Sequence, residues 1–232
     1  MTRHDGLIFA WTAAAAVLLS VLLRGVNLGQ TPWFVSRAAG LVTFIALSLS
    51  VIVGLLISTK TSHHLVPKPF VYELHTFLST LALGLVTIHV TSLLFDSFTP
   101  FTPLQLVVPF ASPYRTFWTG LGVIAAWLSL LLVASFAVRR HIGYANWRKL
   151  HYLSFAAYLI GLLHGIGAGT DTALAPVGFM YLVSVATVSG LLAYRILGGS
   201  GAGAATPAPR PAPRSAPGDS NRAARRRELT GR

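Results

Sequence analysis

A chain of 232 residues that is 53% hydrophobic and 10% charged, with a mean hydropathy of +0.65, is too apolar for a soluble domain and fits an integral membrane protein. Its formal net charge of +12 does not point to nucleic acid, because the basic residues flank apolar segments, where they set topology and meet anionic lipid. There is no cysteine, which excludes disulfides and thiolate metal sites.

Six apolar segments follow in chain order, each near the ~20 residues needed to cross ~30 Å of hydrocarbon. The first, 7–24, follows Arg3 and ends in SVLLRG, which is no small-residue cleavage site, so a retained helix is expected rather than a signal peptide. The second, 35–58, carries Arg37 near its start. The third, 70–95, holds His75 and His89. An apolar, proline-rich stretch at 97–115 is expected to lie over the outer surface as a lid. The fourth segment is 116–138, the fifth, 151–168, holds His151 and His164, and the sixth is 174–197. The expected fold is all-α, a polytopic six-transmembrane-helix bundle over 1–197. Residues 198–232 are rich in Gly, Ala, Pro and Arg and predict a disordered, basic cytoplasmic tail. The tail's glycines follow no strand, so they make no dinucleotide fingerprint.

Charge sets the expected orientation. Lys60 and Lys68 lie between the second and third segments, Arg139, Arg140, Arg148 and Lys149 between the fourth and fifth, and Arg195 ends the sixth. By parity these sites share a side with Arg3, and the positive-inside rule puts that side and both termini in the cytoplasm. Fewer positive charges, Arg24, Arg37 and Arg115, flank the opposite loops. Arginine far outnumbers lysine and alanine is abundant, a bacterial composition, so the expected location is the bacterial inner membrane.

Of eight histidines, His4, His63, His64 and His141 fall in polar termini or loops and read as solvated surface residues. The other four fall inside spans, where ionisable side chains are costly and mark function by default. One such histidine alone is more simply a neutral imidazole bonded to a serine or a carbonyl. Two on each of two segments of the same direction are a pattern. His75 and His151 come near the inner face and His89 and His164 near the outer, with separations of 14 and 13 residues, or ~21 and ~19.5 Å of helical rise. An imidazole from each side of an apolar slot suits the iron of a haem. The pattern predicts two haem b groups, an inner one on His75 and His151 and an outer one on His89 and His164. Fourteen residues return to within ~40° of one helix face, but thirteen miss by ~140°. The fifth segment must therefore bend, wind tighter or serve differently placed groups, with Gly161, Gly165 and Gly167 allowing adjustment. A zinc ion would want three or four ligands at one point, which pairs ~20 Å apart do not give.

Other polar residues have plainer alternatives. Arg37 either snorkels to headgroups or pairs with a propionate of the outer haem. Arg148, with Lys149, pairs with inner propionates, docks an acidic partner or enforces topology. Trp147, Tyr152 and Tyr158 read as interface anchors and bundle filling. Asp171 caps the outer end of the fifth helix or starts the next turn.

The stretches LHTFLSTLALGLVTIH and WRKLHYLSFAAYLIGLLH carry a resemblance to the ferric reductase-like transmembrane family, the membrane haem core of ferric reductases, NADPH oxidases and the haem subunit of the periplasmic methionine sulfoxide reductase system. The likeness spans about 7–197. It implies a six-helix bundle with two b-type haems, passing electrons from a cytoplasmic donor to an outer-face acceptor. Family members that reduce iron or oxygen usually add a cytoplasmic flavin and NAD(P)H domain, and none is read in this chain. The expectation is an oxidoreductase membrane component whose donor is a separate flavoprotein or a quinol, so any flavin sits on that partner. Two alternatives stand beside it: a quinol-fed haem subunit of a methionine sulfoxide reductase system, and a non-redox transporter with proton-relay histidines. The transporter would be colourless and would favour broken helices with acidic residues at mid-membrane.

Overall fold

A computed structural model describes residues 29–59 and 67–199. The chain divides into a unit Met1–Leu197 and a second, Gly198–Arg232, which apart from the end of the last helix lies outside the described residues. Also outside them are the first predicted span, 7–24, with Arg3, His4 and Arg24, and the connection holding Lys60, His63 and His64. The described residues are helical and contain no strand. In order they form α1 (Thr31–Thr59), α2 (Lys68–Ser92) with a 3₁₀ turn at Leu93–Phe95, α3 (Pro103–Val107), α4 (Thr116–Ile142), α5 (Tyr144–His151), α6 (Leu153–Ala168) and α7 (Ala175–Gly199). Among the described residues, five stretches are long and apolar enough to cross a membrane: Thr31–Thr59, Lys68–Phe95, Thr116–Ile142, Tyr144–Ala168 and Ala175–Leu197.

These helices are apolar all round, as lipid requires. Large side chains such as Phe77, Trp127, Phe179 and Leu182 face outward and are at least half exposed. Hydroxyls along the spans donate back to carbonyls four residues earlier, as Thr43 does to Ala39 and Thr87 to Leu83, which satisfies those donors within their own helix. One packed core joins α1, α6 and α7 through Phe44, Leu55, Tyr158, Leu162, Tyr181 and Val188. Within it the Phe44 ring stacks on Tyr158 at 5.9 Å and meets Tyr181 edge-on at 5.0 Å. The Tyr158 hydroxyl shares a 2.7 Å hydrogen bond with Ser184, which donates to Ser48 at 2.9 Å. A smaller cluster of Val53, Val71 and Leu78 holds α1 against α2.

Two element ends differ from the hydropathy reading. α4 continues past Arg139 and Arg140 to Ile142, where Gly143, at φ 81°, takes the positive dihedral that stops the helix. α5 then starts at once. Its sequence YANWRKLH is too basic to register as membrane-spanning, yet it extends the fifth span by seven residues before His151. The 97–115 stretch is ordered by local bonds. The Asp96 carboxylate accepts from the amides of Phe98 and Thr99, and Thr102 and Gln105 form a capping box on α3. Trp127 donates its indole N–H to the Val107 carbonyl at 2.9 Å, tying the stretch to α4.

Candidate cofactor site

Antiparallel α1 and α2 form one wall of a cavity, and antiparallel α4 and α6 the other. Its volume is about 890 Å³, near the top of the usual range for ligand sites. All four intramembrane histidines line it, and each is half-buried. They meet in the two predicted pairs. The His75 and His151 rings lie 6.1 Å apart between centroids at 77°, and the His89 and His164 rings 6.1 Å apart at 76°. Phe101, Leu106 and Tyr114, from the stretch expected as a lid, stand on the same cavity wall.

The spacing suits one metal centre per pair. An imidazole nitrogen binds a transition metal at ~2.0–2.1 Å, the zinc value carried over to iron, and lies ~1.1 Å from its ring centre. Two rings on opposite sides of one ion therefore have centroids ~6.2–6.4 Å apart, close to both observed values. Among the described residues no three His, Asp or Glu side chains converge on one point, so the donors come as pairs.

Three of the imidazoles are fixed by the backbone behind them. Nδ1 of His75 lies 2.9 Å from the Ser50 carbonyl, Nδ1 of His89 lies 2.7 Å from that of Ser36, and Nδ1 of His164 lies 2.9 Å from that of Trp118. A carbonyl only accepts, so Nδ1 carries the proton and Nε2 is left with the lone pair a metal needs. Four residues beyond each accepting carbonyl stands a glycine against the same ring. A Cβ at Gly54 would lie 3.3 Å from His75 Cε1, one at Gly40 3.0 Å from His89 Nδ1, and one at Gly122 2.5 Å from His164 Cε1. The cradle is thus a carbonyl at position i and a missing side chain at i+4, used three times: Ser36 with Gly40, Ser50 with Gly54, and Trp118 with Gly122. Hydropathy and charge do not reveal these residues, since their contribution is a backbone oxygen and an empty space. One signal was available: Ser36 and Ser50, like Gly40 and Gly54, are 14 residues apart, the interval between His75 and His89.

His151 is different. Fourteen residues beyond Trp118 and Gly122, α4 carries Leu132 and Phe136 where a fourth cradle would fall. Phe136 meets Trp147 edge-on at 6.0 Å, and Trp147 stacks on His151 at 5.0 Å and 23°. Nδ1 of His151 and Nε1 of Trp147 are both buried without a hydrogen-bond partner. The helix also breaks directly after His151. The amide of Tyr152 bonds to the Lys149 carbonyl and that of Phe155 to the Tyr152 carbonyl, both three-residue steps. Tighter 3₁₀ winding advances ~120° per residue rather than ~100°, which reduces the angular deficit of a 13-residue spacing.

The two arginines singled out from sequence also line the cavity, at opposite ends. Arg37 is engaged by Asp171 through Nε to Oδ2 at 2.9 Å and a second, shorter contact to Oδ1, a bidentate pair. Asp171 therefore locks the start of α1 to the turn after α6. Arg148 is exposed at the 75/151 end. Arg139, whose guanidinium stands 4.0 Å over the Phe136 ring, and Arg195, which donates to the Tyr152 hydroxyl at 3.3 Å, line the same end.

No family model matches the chain, and neither does any curated protein or solved structure.

Proposed function

We propose that this chain is a transmembrane electron-transfer cytochrome b of ferric reductase-like type, holding two haems in a bacterial inner membrane. The observation that carries the reading is the pair of facing imidazoles repeated at two depths with the same 6.1 Å separation. His75 and His151 would hold the inner group, and His89 and His164 the outer. When bound, each iron supplies a one-electron Fe(III)/Fe(II) couple whose potential the protein tunes.

The chain's own residues do the rest. The two imidazoles of each pair would hold one iron between them, and a metal so held would supply electron transfer rather than substrate binding. The carbonyls of Ser36, Ser50 and Trp118 hold Nε2 toward the cavity and raise ligand basicity. Gly40, Gly54 and Gly122 leave room for the rings. The pairs are separated by 14 residues of α2, ~21 Å of rise, so together they divide a ~30 Å insulating layer into short intervals. On the proposed topology, with six spans and both termini cytoplasmic, a separate flavoprotein or a quinol delivers electrons at the 75/151 end. An acceptor collects them at the 89/164 end, beneath the 97–115 stretch. The Arg37–Asp171 pair directs that arginine to clamping the outer end of the bundle.

The test is a visible spectrum of the full chain purified in detergent, oxidised and then reduced. The expected result is a low-spin b-type spectrum with about two haems per chain. Colourless protein from haem-replete cells overturns the reading and favours histidines that relay protons.

A further inference from the structure

A lid over the mouth of the cavity would touch only the ends of the helices. The 97–115 stretch instead holds to α4 well along its length. The Val107 carbonyl accepts from the indole N–H of Trp127 at 2.9 Å. Trp127 is eleven residues past Thr116, the first residue of α4, or ~16.5 Å of rise. Helical side chains lean back toward the N-terminus. Allowing a full turn of lean, ~5.4 Å, and the whole bond in the same direction, the Val107 carbonyl still lies ~8 Å beyond the start of α4. His164 gives a second mark of depth. Its ring is held by the Trp118 carbonyl and lies against Gly122, and Trp127 is five residues farther along α4. The stretch therefore descends to about the level of the 89/164 pair. Phe110 agrees, since its ring stands where a side chain on Gly120 would be.

The face it occupies is the outer one. Phe110 stacks on Phe117, so the stretch meets α4 at Phe117, Gly120 and Trp127, which share one side of that helix. The cavity is lined from another side of α4, by Gly122, Ala126, Ser129 and Val133. Turned away from the bundle, Phe98, Leu104, Val107 and Val108 are exposed, and no charged residue occurs between Asp96 and Arg115. A face made for a water-borne protein would carry a polar rim. Here Asp96, Thr102 and Gln105 spend their side chains on backbone amides of the stretch itself. The amides of Val108, Ala111 and Tyr114 also bond locally, and Pro100, Pro103, Pro109 and Pro113 have no N–H to satisfy. Hydrocarbon demands that economy of donors, and water does not.

We propose that 97–115 is a re-entrant segment, dipping into the leaflet at the 89/164 end and laying Leu104, Val107 and Val108 against lipid acyl chains. Phe101 and Leu106, on its inner side, wall the cavity beside the 89/164 pair. The proposal needs a chain that spans a membrane and needs no cofactor, so it can fail without the two-haem reading and survive without it.

The chain has no cysteine, so single thiols can be placed at will. Leu104→Cys and Val107→Cys test the segment, Leu182→Cys on the exposed side of α7 is the lipid control, and exposed Thr170→Cys, beside Asp171 at the same end, is the water control. Each full chain is reconstituted in phosphatidylethanolamine and phosphatidylglycerol vesicles and treated with a water-soluble maleimide. Maleimide takes the thiolate, which forms where water reaches the sulfur, so Leu104→Cys and Val107→Cys should react at least ~10-fold more slowly than Thr170→Cys and about as slowly as Leu182→Cys. The unaltered chain, in vesicles whose phospholipid carries a photoreactive group midway along an acyl chain, should be labelled within 97–115. This arm holds where a cysteine variant fails to fold. Reaction as fast as that of Thr170→Cys overturns the proposal and leaves a lid in water. Slow reaction with no acyl-chain label also overturns it, because protein rather than lipid then covers the segment.

Discussion

Gly122→Ala is a one-methyl perturbation whose size can be worked from the cradle. A Cβ built on Gly122 falls 2.5 Å from both Cε1 and Nδ1 of His164 and 2.9 Å from Nε2. Carbon atoms rest ~3.5–4.0 Å apart, so ring and helix must separate by ~1 Å. The ring cannot yield freely, because Nδ1 is bonded to the Trp118 carbonyl at 2.9 Å on the same helix and the far edge faces His89. Overpacking of this kind costs ~1–3 kcal/mol, and loss of the hydrogen bond adds ~1 kcal/mol. A total of ~2–4 kcal/mol weakens occupancy of the 89/164 site by ~30- to 1,000-fold. Haem content should fall from about two to about one per chain, with the 75/151 component retained. Gly40→Ala, where the new methyl would sit 3.0 Å from His89 Nδ1, should be milder, and Gly54→Ala, at 3.3 Å from His75 Cε1, milder still. Gly84→Ala on α2 meets nothing within 4 Å and should keep both haems. The assay is the haem-to-protein ratio with reduced-minus-oxidised spectra. Gly122→Ala protein with two haems and unshifted potentials would refute the cradle, and so would haem loss in Gly84→Ala.

Single alanine replacements of His75 or His151 should each cost one haem and spare the other, while replacement of all four histidines should give colourless protein; the pigment ratio decides, and equal loss of both haems from one substitution would count against independent sites. Arg37→Gln or Asp171→Asn alone leaves a partly buried charge unpaired, at side-chain exposures of 32% and 15%, and should destabilise by ~1–3 kcal/mol. The double variant should be less destabilised than the sum of the two, a coupling that thermal unfolding in detergent would read and that strict additivity would disprove. Tyr158→Phe removes the bond to Ser184 while that serine keeps its bond to Ser48, so the expected cost is ~1 kcal/mol of stability with an unchanged haem spectrum. A shifted spectrum there would place Tyr158 closer to the redox chemistry than its core packing suggests.

What was legible in the sequence was what hydrophobicity and side-chain chemistry write directly. Five apolar runs from 35–58 onward correspond to helices, because twenty apolar residues have few other ways to satisfy their backbone in lipid. The four histidines came together in the expected pairs because each separation spans a similar depth. The start of the fifth span was missed because Arg148 and Lys149 depress hydropathy while continuing the helix. The Arg37–Asp171 pair was hidden by a separation of 134 residues, and the cradles by their being made of carbonyls and absent methyls.

The unevenness at His151 was half visible. A 13-residue spacing needs ~3.25 residues per turn to bring both imidazoles to one face, between the 3.6 of an α-helix and the 3.0 of a 3₁₀ turn. The chain supplies the tighter winding at Tyr152, immediately after His151. On the facing helix the 14-residue repeat also fails once, where Phe136 takes the place a glycine would occupy. These departures fall at one imidazole. A shortened spacing displaces the ring from where a straight helix would carry it, and the space opposite is filled by Phe136 and Trp147 instead of being left for the ring to reach a carbonyl. The irregular spacing, the unbonded Nδ1 and the Phe136–Trp147–His151 ring contacts thus meet at one place, beside the junction between α5 and α6.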